Sequence, residues 1–359
     1  MRNGYITVIV LGLLAIGLPY QSVAAESKSG LGKSISFRLP IRCTPGQNCW
    51  IVNHVDTDPS KGAADYSCGN KAYNRHKGTD FALRDLAVMR SGFQSSRKGS
   101  HAATKGVPVV AAADGVVLGM RNGVPDVDFR ERGGVTALKG QDCGNGVRIQ
   151  HAGGWTTQYC HLRYDSVQVR GGQRVKAGRW LGFVGLSGRT EFPHLHFQVS
   201  LNKDIVDPFT GLPQGAGCGQ SFKPLWNEQT EAQLPYRPTN IYMGGFIKSK
   251  PSAKAARSGY YQNIEIPRTA NSIKLWADIF GLRKGDNLIF EIFAPSDTPI
   301  LVAKTIIRRT QIRKFFSATT RKTQALWPAG AYRGEIRLIR KSAKGKAEVY
   351  RLSRITNLR

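Results

Sequence analysis

Four of the seven histidines stand in three short motifs whose other residues can also bind a metal or move a proton. The motifs read H-K-G-T-D at 76–80, Y-C-H-L at 159–162 and P-H-L-H-F at 193–197. Imidazole nitrogens and carboxylate oxygens are common zinc ligands, and histidine is the most frequent general acid–base in proteins. Together the motifs predict a metal site with acid–base groups beside it.

The third motif runs into an alternating strand pattern. Residues i and i+2 of a strand project from one face, so His194 and His196 are expected to face the same way. Such a pair suits either two metal ligands or one ligand beside an acid–base group. In the first motif, His76 and Asp80 lie on a loop that leads into a strand. Two histidines and one carboxylate leave a fourth position for water, as in catalytic zinc sites.

The histidine of the second motif, His161, has two interpretations. A zinc-activated water needs a group that accepts its proton and passes it to the leaving group, and His161 and His194 are the remaining candidates. The alternative is a histidine at a strand end that only hydrogen-bonds to the backbone. The occurrence of all three motifs in one chain favours the acid–base role. His54, His101 and His151 are interpreted as loop or structural residues.

Short alternating runs rich in Val and Gly, separated by Gly or Pro, fill the chain from residue 40 to about 208. This spacing predicts an all-β domain of many short strands. Polar segments at 83–106 and 123–141 read as long insertions between strands. The domain that must position the motifs is placed at 40–215, after a flexible lead-in at 26–39 and before a connector at 216–238.

Residues 239–359 form a second predicted domain, with strand-like runs at 272–277, 287–293, 300–307, 331–339 and 348–352. The pattern predicts a smaller β-sandwich-like domain. Residues 241–359 carry 24 Lys and Arg against 7 Asp and Glu, a net charge of +17 out of +28 for the chain. Such an excess attracts polyanions, although a solvated basic face is an equally common reason for it.

The first 25 residues determine which polyanion the chain can meet. A short basic start, an uncharged run at 5–18 and small residues before residue 26 match a secretory signal peptide at 1–25. The run is too short to span a bilayer, and no later stretch is long and apolar enough, so no membrane segment is expected in the mature chain. Export makes nucleic acid an improbable partner and favours an anionic envelope polymer. A balance of 41% hydrophobic and 21% charged residues excludes a mostly disordered or fibrous chain.

Six cysteines, all before residue 219, agree with an oxidising compartment. Strands at 147–150 and 155–159 around the Gly153-Gly154 turn bring Cys143 and Cys160 close together, which predicts one disulfide. The remaining four cysteines cannot be paired from the sequence. A Cys-rich zinc site is the less favoured alternative, because the spacings lack a C-x-x-C pair.

The order H-x-x-x-D, Y-x-H-L and P-H-L-H-F resembles the LytM/lysostaphin-type zinc metallopeptidases. Further similar stretches lie at 107–117, 144–151, 172–178 and 181–188, and the resemblance covers about residues 70–208. It implies an antiparallel β-sheet groove with zinc on its floor and endopeptidase cleavage of peptidoglycan. By position, it implies His76, Asp80 and His196 as zinc ligands and His161 and His194 as the catalytic histidines. The residues at 190–192 differ from the small residues common there, which affects the expected substrate contacts.

The sequence therefore predicts an exported zinc metalloendopeptidase, periplasmic or secreted, that acts on cell-wall peptidoglycan. The main alternative is a non-catalytic wall-binding protein, or an activator of other wall hydrolases, on the same scaffold. A secreted protease for Gly-rich proteins and an adhesin dominated by the basic region are further alternatives. The intact set of five site residues favours the enzyme.

Overall fold

A computed structural model describes Met1 and residues 35–92, 106–220, 223–262, 264–341 and 347–359. The predicted signal peptide and His101 lie outside the described residues. Residues Lys33–Arg359 form one compact unit. Strands dominate it, as predicted, and the short helices are α1 (Leu86–Ser91), α2 (Glu228–Gln233) and α3 (Ala253–Ser258). Single 3-10 turns occur at Phe129–Arg132, Val135–Leu138 and Ala152–Gly154.

In the first half of the described chain the strands are β1 (Cys49–Asn53), β2 (Thr79–Leu83), β3 (Pro108–Val110), β4 (Gly115–Arg121), β5 (Asn145–Gln150), β6 (Trp155–Leu162), β7 (Arg174–Val175), β8 (Trp180–Phe183), β9 (His194–Leu201) and β10 (Asp204–Val206). In the second half they are β11 (Asn240–Ile247), β12 (Ser272–Leu282), β13 (Asn287–Phe293), β14 (Pro299–Ile306), β15 (Gln311–Arg321), β16 (Gly330–Lys341) and β17 (Ala347–Leu358).

The first half folds around an antiparallel sheet with the order β1-β2-β9-β6-β5-β4-β7, and β10 pairs with β9 at its side. Alternation along each strand gives the sheet two different faces. One face packs into a hydrophobic core that contains Phe81, Tyr159, Leu195 and Phe197. The residues that alternate with these along the strands project from the opposite face. They include His194 and His196, the two histidines of the third motif.

The predicted hairpin about Gly153 and Gly154 is present. β5 and β6 pair antiparallel with Ile149 opposite Thr157. Gly154 has a φ of +82°, a left-handed conformation that glycine adopts without steric cost. The pairing of β6 with β9, which puts Cys160 opposite His196, brings the second motif beside the third.

One expectation for the segments outside the strands is wrong. The described end of the lead-in, expected to be flexible, is packed: Phe37 is fully buried and bridges to Trp226 in the expected connector. Aromatic burial of this size offsets the entropy of ordering the chain there. The segment at 83–106 lies between β2 and β3, as predicted. Its described part contains helix α1, which begins because the Asp85 side chain accepts a hydrogen bond from the backbone N–H of Val88.

The second half is a β-sandwich, as predicted. A three-stranded sheet, β11-β12-β15, faces a four-stranded sheet, β14-β13-β16-β17. Leu275 and Ile279 of the first sheet and Phe290 and Ile336 of the second lie in one core. The sequence missed β11, which Gly244-Gly245 interrupts, and β15, whose apolar residues are interspersed with charged and hydroxyl side chains.

The sandwich packs against the sheet of the first half through a shared hydrophobic cluster. Trp50 and Ala82, opposite each other on β1 and β2, contact Tyr242, Met243 and Phe280 of the sandwich. Ala82 also pairs with His194, so this cluster lies on the face of the sheet that carries the third motif. The sandwich therefore forms a wall on the side of the sheet where the predicted site lies.

All six cysteines form disulfides: Cys43–Cys49, Cys68–Cys218 and Cys143–Cys160. The predicted Cys143–Cys160 pair is confirmed, and the alternative of a Cys-rich zinc site is wrong. Within the described part of the chain, no helix has both the length and the apolar character needed to cross a membrane.

Candidate metal centre

The pairing of β2 with β9 brings the first and third motifs together. Asp80 lies directly opposite His196 in the antiparallel register, and both side chains project from the same face. His76 reaches the same point from the loop before β2. Although His76 and His196 are 120 residues apart, their ring centroids are separated by only 5.0 Å.

The three side chains present a compact set of donor atoms. Nε2 of His76 lies 3.2 Å from Oδ1 of Asp80 and 3.2 Å from Nδ1 of His196, and the last two atoms are 2.8 Å apart. Ligands at tetrahedral positions around zinc, with bonds of about 2.0 to 2.2 Å, are separated by about 3.3 Å. Two imidazole nitrogens and one carboxylate oxygen at these separations fit a zinc ion with an open position.

Neighbouring groups fix the orientation of these side chains. Nδ1 of His76 donates to the carbonyl of His54 at 2.7 Å, which leaves Nε2 as the unprotonated nitrogen facing the cluster. The second oxygen of Asp80, Oδ2, accepts from Nδ2 of Asn53 at 2.8 Å. Such outer partners set the tautomer and direction of metal-binding side chains. Sequence reasoning missed both Asn53 and His54, because their role depends on the pairing of β1 with β2.

Gly78 makes room for the ring of His196. A Cβ at this position would lie 2.8 Å from Nε2 of His196 and 2.6 Å from the carbonyl oxygen of Phe197. Both distances are shorter than a carbon atom tolerates, so glycine is required by close approach rather than by turn geometry.

His161 and His194 lie beside the cluster, with ring centroids 4.6 Å apart. Nδ1 of His161 donates to the carbonyl of Ser187 at 2.8 Å. Nδ1 of His194 lies 2.9 Å from the carbonyl of Phe192 and 3.1 Å from Oγ1 of Thr190. In both rings Nδ1 is bound to the protein, so Nε2 is the atom available for proton transfer.

The backbone at His161 is held in an uncommon conformation. Its φ is +62°, in the left-handed region that costs a non-glycine residue about 1 to 3 kcal/mol. The surroundings determine this geometry: the N–H of His161 donates to the carbonyl of Cys143 at 2.8 Å, and its own carbonyl accepts from the N–H of Gly185 at 2.9 Å. The Cys143–Cys160 disulfide ties the preceding residue to the same segment.

Burial shapes the charge of the site. It lowers the pKa of the His161 ring well below its ordinary value, and the neighbouring His194 acts in the same direction. Burial also lowers the pKa of His194, although the Asp80 carboxylate opposes it. Both rings are therefore neutral at neutral pH, and each has a lone pair able to accept a proton.

The Asp80 carboxylate behaves in the opposite way from an isolated buried acid. Burial by itself would raise the pKa of Asp80, but its electrostatic interactions and hydrogen bonds with the surrounding histidine rings, first of all His76, hold it well below its usual range. Burial would lower the pKa of His76, yet Asp80 raises it. The cluster thus contains one stable negative charge, which favours a bound cation.

The other described histidines have structural roles. His151 donates or accepts on both ring nitrogens, at 2.7 Å from the carbonyl of Asp114 and 2.7 Å from Oγ1 of Thr157. His54 is buried among aromatic rings and contributes its backbone carbonyl to the site. Among the described residues, the metal-capable cluster of His, Cys and acidic side chains is the one predicted from the sequence.

Residues 96–208 match peptidase family M23, and the resemblance to LytM/lysostaphin-type metallopeptidases is confirmed. The match contains His161, His194 and His196, whereas His76 and Asp80 lie before it and are joined to it by the β2–β9 pairing.

Curated relatives include the DD-carboxypeptidase/endopeptidase Mpg of Neisseria meningitidis, 39% identical over 108 residues that make up 30% of this chain and 20% of the relative. The peptidoglycan DD-endopeptidase ShyC of Vibrio cholerae is 31% identical over 141 residues, 39% of this chain and 28% of the relative. The chain thus spans less than a third of the length of these relatives. Among solved structures, the catalytic domain of lysostaphin from Staphylococcus simulans aligns with a TM-score of 0.25 and 23% identity, over 42% of this chain and 86% of that domain.

Proposed function

We propose that this chain, which carries a peptidase family M23 domain, is a zinc-dependent endopeptidase that hydrolyses peptide bonds of peptidoglycan. One observation carries the proposal: the donor atoms of His76, Asp80 and His196 all lie within 4.8 Å of one another. The rings of His161 and His194 flank these atoms. The relatives named as DD-endopeptidases support the substrate class.

In this proposal His76, Asp80 and His196 hold the zinc ion. When bound, zinc supplies a Lewis acid that polarises a carbonyl and lowers the pKa of a bound water toward about 7. Three protein ligands leave the open position that this chemistry needs. The unprotonated Nε2 of His76, fixed by the hydrogen bond from its Nδ1 to the carbonyl of His54, is ready to coordinate without a change of tautomer.

His161 and His194 perform the proton transfers. Each ring is neutral and offers Nε2 as an acceptor for the proton of an attacking water. Once protonated, the same nitrogen is a donor toward the leaving nitrogen of the peptide. The partner ring, 4.6 Å away, can donate toward the oxygen of the scissile carbonyl only when its own Nε2 carries a proton.

The proposed location is outside the cytoplasm, in the periplasm or secreted. Three disulfides in one compact unit support an oxidising compartment. The signal peptide at 1–25 remains a prediction, and sequencing of the N-terminus of the protein recovered from the envelope or the medium tests it.

The alternative, a non-catalytic wall-binding protein or activator, predicts no products. The deciding experiment is mass spectrometry of muropeptides after incubation of purified peptidoglycan with the protein, with and without a chelator. We expect cleaved cross-links that disappear with the chelator and return on addition of zinc.

Variants of the two flanking histidines complete this experiment. His161→Ala and His194→Ala should each keep their zinc and lose about 10²- to 10⁴-fold in cleavage rate, the usual contribution of an acid–base group. His151→Gln, a change at a buried histidine away from the cluster, is the matched control. Absence of any product from the unmodified, zinc-loaded protein would favour the non-catalytic alternative.

A further inference from the structure

A cavity lies between the sheet of the first half and the sandwich, apart from the metal cluster. It measures about 590 Å³, and none of the five site residues lines it. Trp50 and Arg84 contribute from the sheet, and Met243, Trp276 and Arg354 contribute from the sandwich. The cavity is of the size that binds small molecules and exists only because the two parts pack together.

The charged groups of this cavity are not balanced. Its charged lining residues are Arg84, Asp85 and Arg354, two cations and one anion. The Asp85 carboxylate is already occupied, since it accepts from Nε of Arg84 at 2.7 Å, from the N–H of Val88 at 2.9 Å and from Nε2 of Gln262 at 2.6 Å.

Arg354 has no acidic partner among the described residues. Its Nε donates to the carbonyl of Gly244 at 3.0 Å and its Nη1 to the carbonyl of Ser353 at 2.9 Å. Burial, and then the charge of Arg84, lowers the pKa of the Arg354 guanidinium. The cavity therefore holds a cation without a counter-ion, next to a second cation whose carboxylate partner is shared with two other donors.

Aromatic side chains form the rest of the wall. Trp50, Tyr261 and Trp276 line the cavity, and the rings of the last two lie 5.6 Å apart. The indole N–H of Trp276 is buried and has no hydrogen-bond partner within the described part of the chain. These rings give the cavity an aromatic wall next to its two arginines.

We propose that this cavity binds a carboxylate-bearing segment of the wall substrate, with Arg84 and Arg354 on the carboxylate and the aromatic side chains against its carbon skeleton. The inference rests on the proposed function, because it takes the ligand from peptidoglycan. Arg84 is four residues from Asp80 along and just beyond β2, a distance of at most about 14 Å.

The test is calorimetric titration of the full-length His161→Ala protein, which should not turn over substrate, with three small molecules. N-acetylmuramic acid carries a carboxylate on a sugar, D-alanyl-D-alanine carries one on a peptide, and N-acetylglucosamine is the matched sugar without a carboxylate. We expect at least one carboxylate compound to bind about tenfold or more tightly than N-acetylglucosamine, since hydrogen bonds to charged groups contribute about 1.5 to 3 kcal/mol. Which of the two acids binds identifies the source of the carboxylate.

Substitutions locate the binding. Arg354→Gln and Arg84→Gln should each weaken the binding about tenfold or more, whereas Arg351→Gln, an exposed arginine on the same strand, should not change it. Arg354→Gln changes a more buried residue and can lower the melting temperature. The Arg84 side chain is partly exposed, so Arg84→Gln should leave the fold intact and gives an independent test of the same cavity. Equal affinity for N-acetylglucosamine, no binding of either acid, or unchanged binding in both arginine variants overturns the inference.

Cleavage of a soluble muropeptide by the protein with His161 intact separates this inference from the proposed function. Cleavage without carboxylate binding overturns only the inference that the cavity binds a carboxylate. Arginine-dependent binding without cleavage overturns only the enzyme assignment, and the cavity is then a carboxylate site on a binding protein.

Discussion

The ring of Phe280, on β12 of the sandwich, lies 5.5 Å from the ring of Phe192, two residues before His194. Phe192 in turn lies 4.7 Å from the His194 ring, and its carbonyl accepts from Nδ1 of that ring. The guanidinium of Arg313 lies 5.3 Å from Phe192 and 5.0 Å from Phe280, within cation–π range. The sandwich is thus in direct contact with the segment that orients one of the proposed catalytic histidines.

This contact predicts that Phe280→Leu slows cleavage without loss of zinc. Small displacements of a reacting group reduce rates by up to about 100-fold, so we expect kcat to fall about 10- to 100-fold. Phe290→Leu, at a buried position in the sandwich core, is the control and should affect the melting temperature but not kcat. An equal effect of both variants on kcat would mean that the sandwich acts through overall stability alone.

Metal content should depend on the three-residue cluster. We expect about one zinc per molecule in the purified protein, and His196→Ala should lose most of it, because two protein ligands remain. Elemental analysis after dialysis measures this, with His151→Gln as a variant that removes a buried histidine elsewhere. Full zinc occupancy in His196→Ala would remove that residue from the ligand set.

The Cys143–Cys160 disulfide should support the strained conformation of His161. Its partners are 17 residues apart, and closing a loop of this length stabilises a protein by about 3 kcal/mol in the chain-entropy model. The Cys143→Ser/Cys160→Ser variant should lose activity as well as stability. Cys43→Ser/Cys49→Ser, which opens a loop of 6 residues away from His161, should keep its activity. Retained activity in the Cys143→Ser/Cys160→Ser variant would show that the backbone hydrogen bonds of His161 hold its conformation without the disulfide.

Stability should fall as the pH rises from about 4 to about 7 because of Asp207. Burial raises the pKa of this carboxyl to about 7. Its Oδ1 accepts from the N–H of Phe209, and Oδ2 is buried without a partner among the described residues. A pKa above that of the unfolded chain means that the folded protein binds the proton more tightly, so this stabilisation is complete below about pH 4 and is lost as the pH approaches 7.

Asp207→Asn tests whether ionisation of Asp207 causes the predicted fall in stability with rising pH, because the amide cannot ionise. Relative to the unmodified protein, the variant should gain free energy of unfolding between pH 4 and pH 8, by up to about 4 kcal/mol. Urea titrations at several pH values measure the difference, and a difference that does not change with pH would show that Asp207 stays ionised in the folded protein.

Binding to anionic envelope polymers stays a prediction. The sandwich exposes many cations, among them Lys304, Arg308, Arg309 and Lys314. Removal of the sandwich would uncover the shared cluster around Trp50, so substitution is the cleaner test. Replacing these four cations by Gln should reduce sedimentation with whole walls at about 0.1 M salt, where charges act over about 10 Å, and have little effect at 1 M.

The matched control neutralises four exposed cations of the first half of the chain, Arg148, Arg170, Arg174 and Lys203. An equal loss of sedimentation with whole walls in both variants would assign the effect to net charge rather than to the sandwich.

The sequence by itself predicted five candidate site residues, partly through a family resemblance, and it determined the β architecture and one disulfide. These depend on local patterns: the two-residue period that puts His194 and His196 on one face, and the hairpin that brings Cys143 to Cys160. Only the tertiary structure decided what surrounds them. The roles of Asn53 and Phe280, the pairing of Cys68 with Cys218 and the cavity at Arg354 all arise where segments distant in sequence meet. No local period encodes such meetings, because they depend on how whole sheets pack.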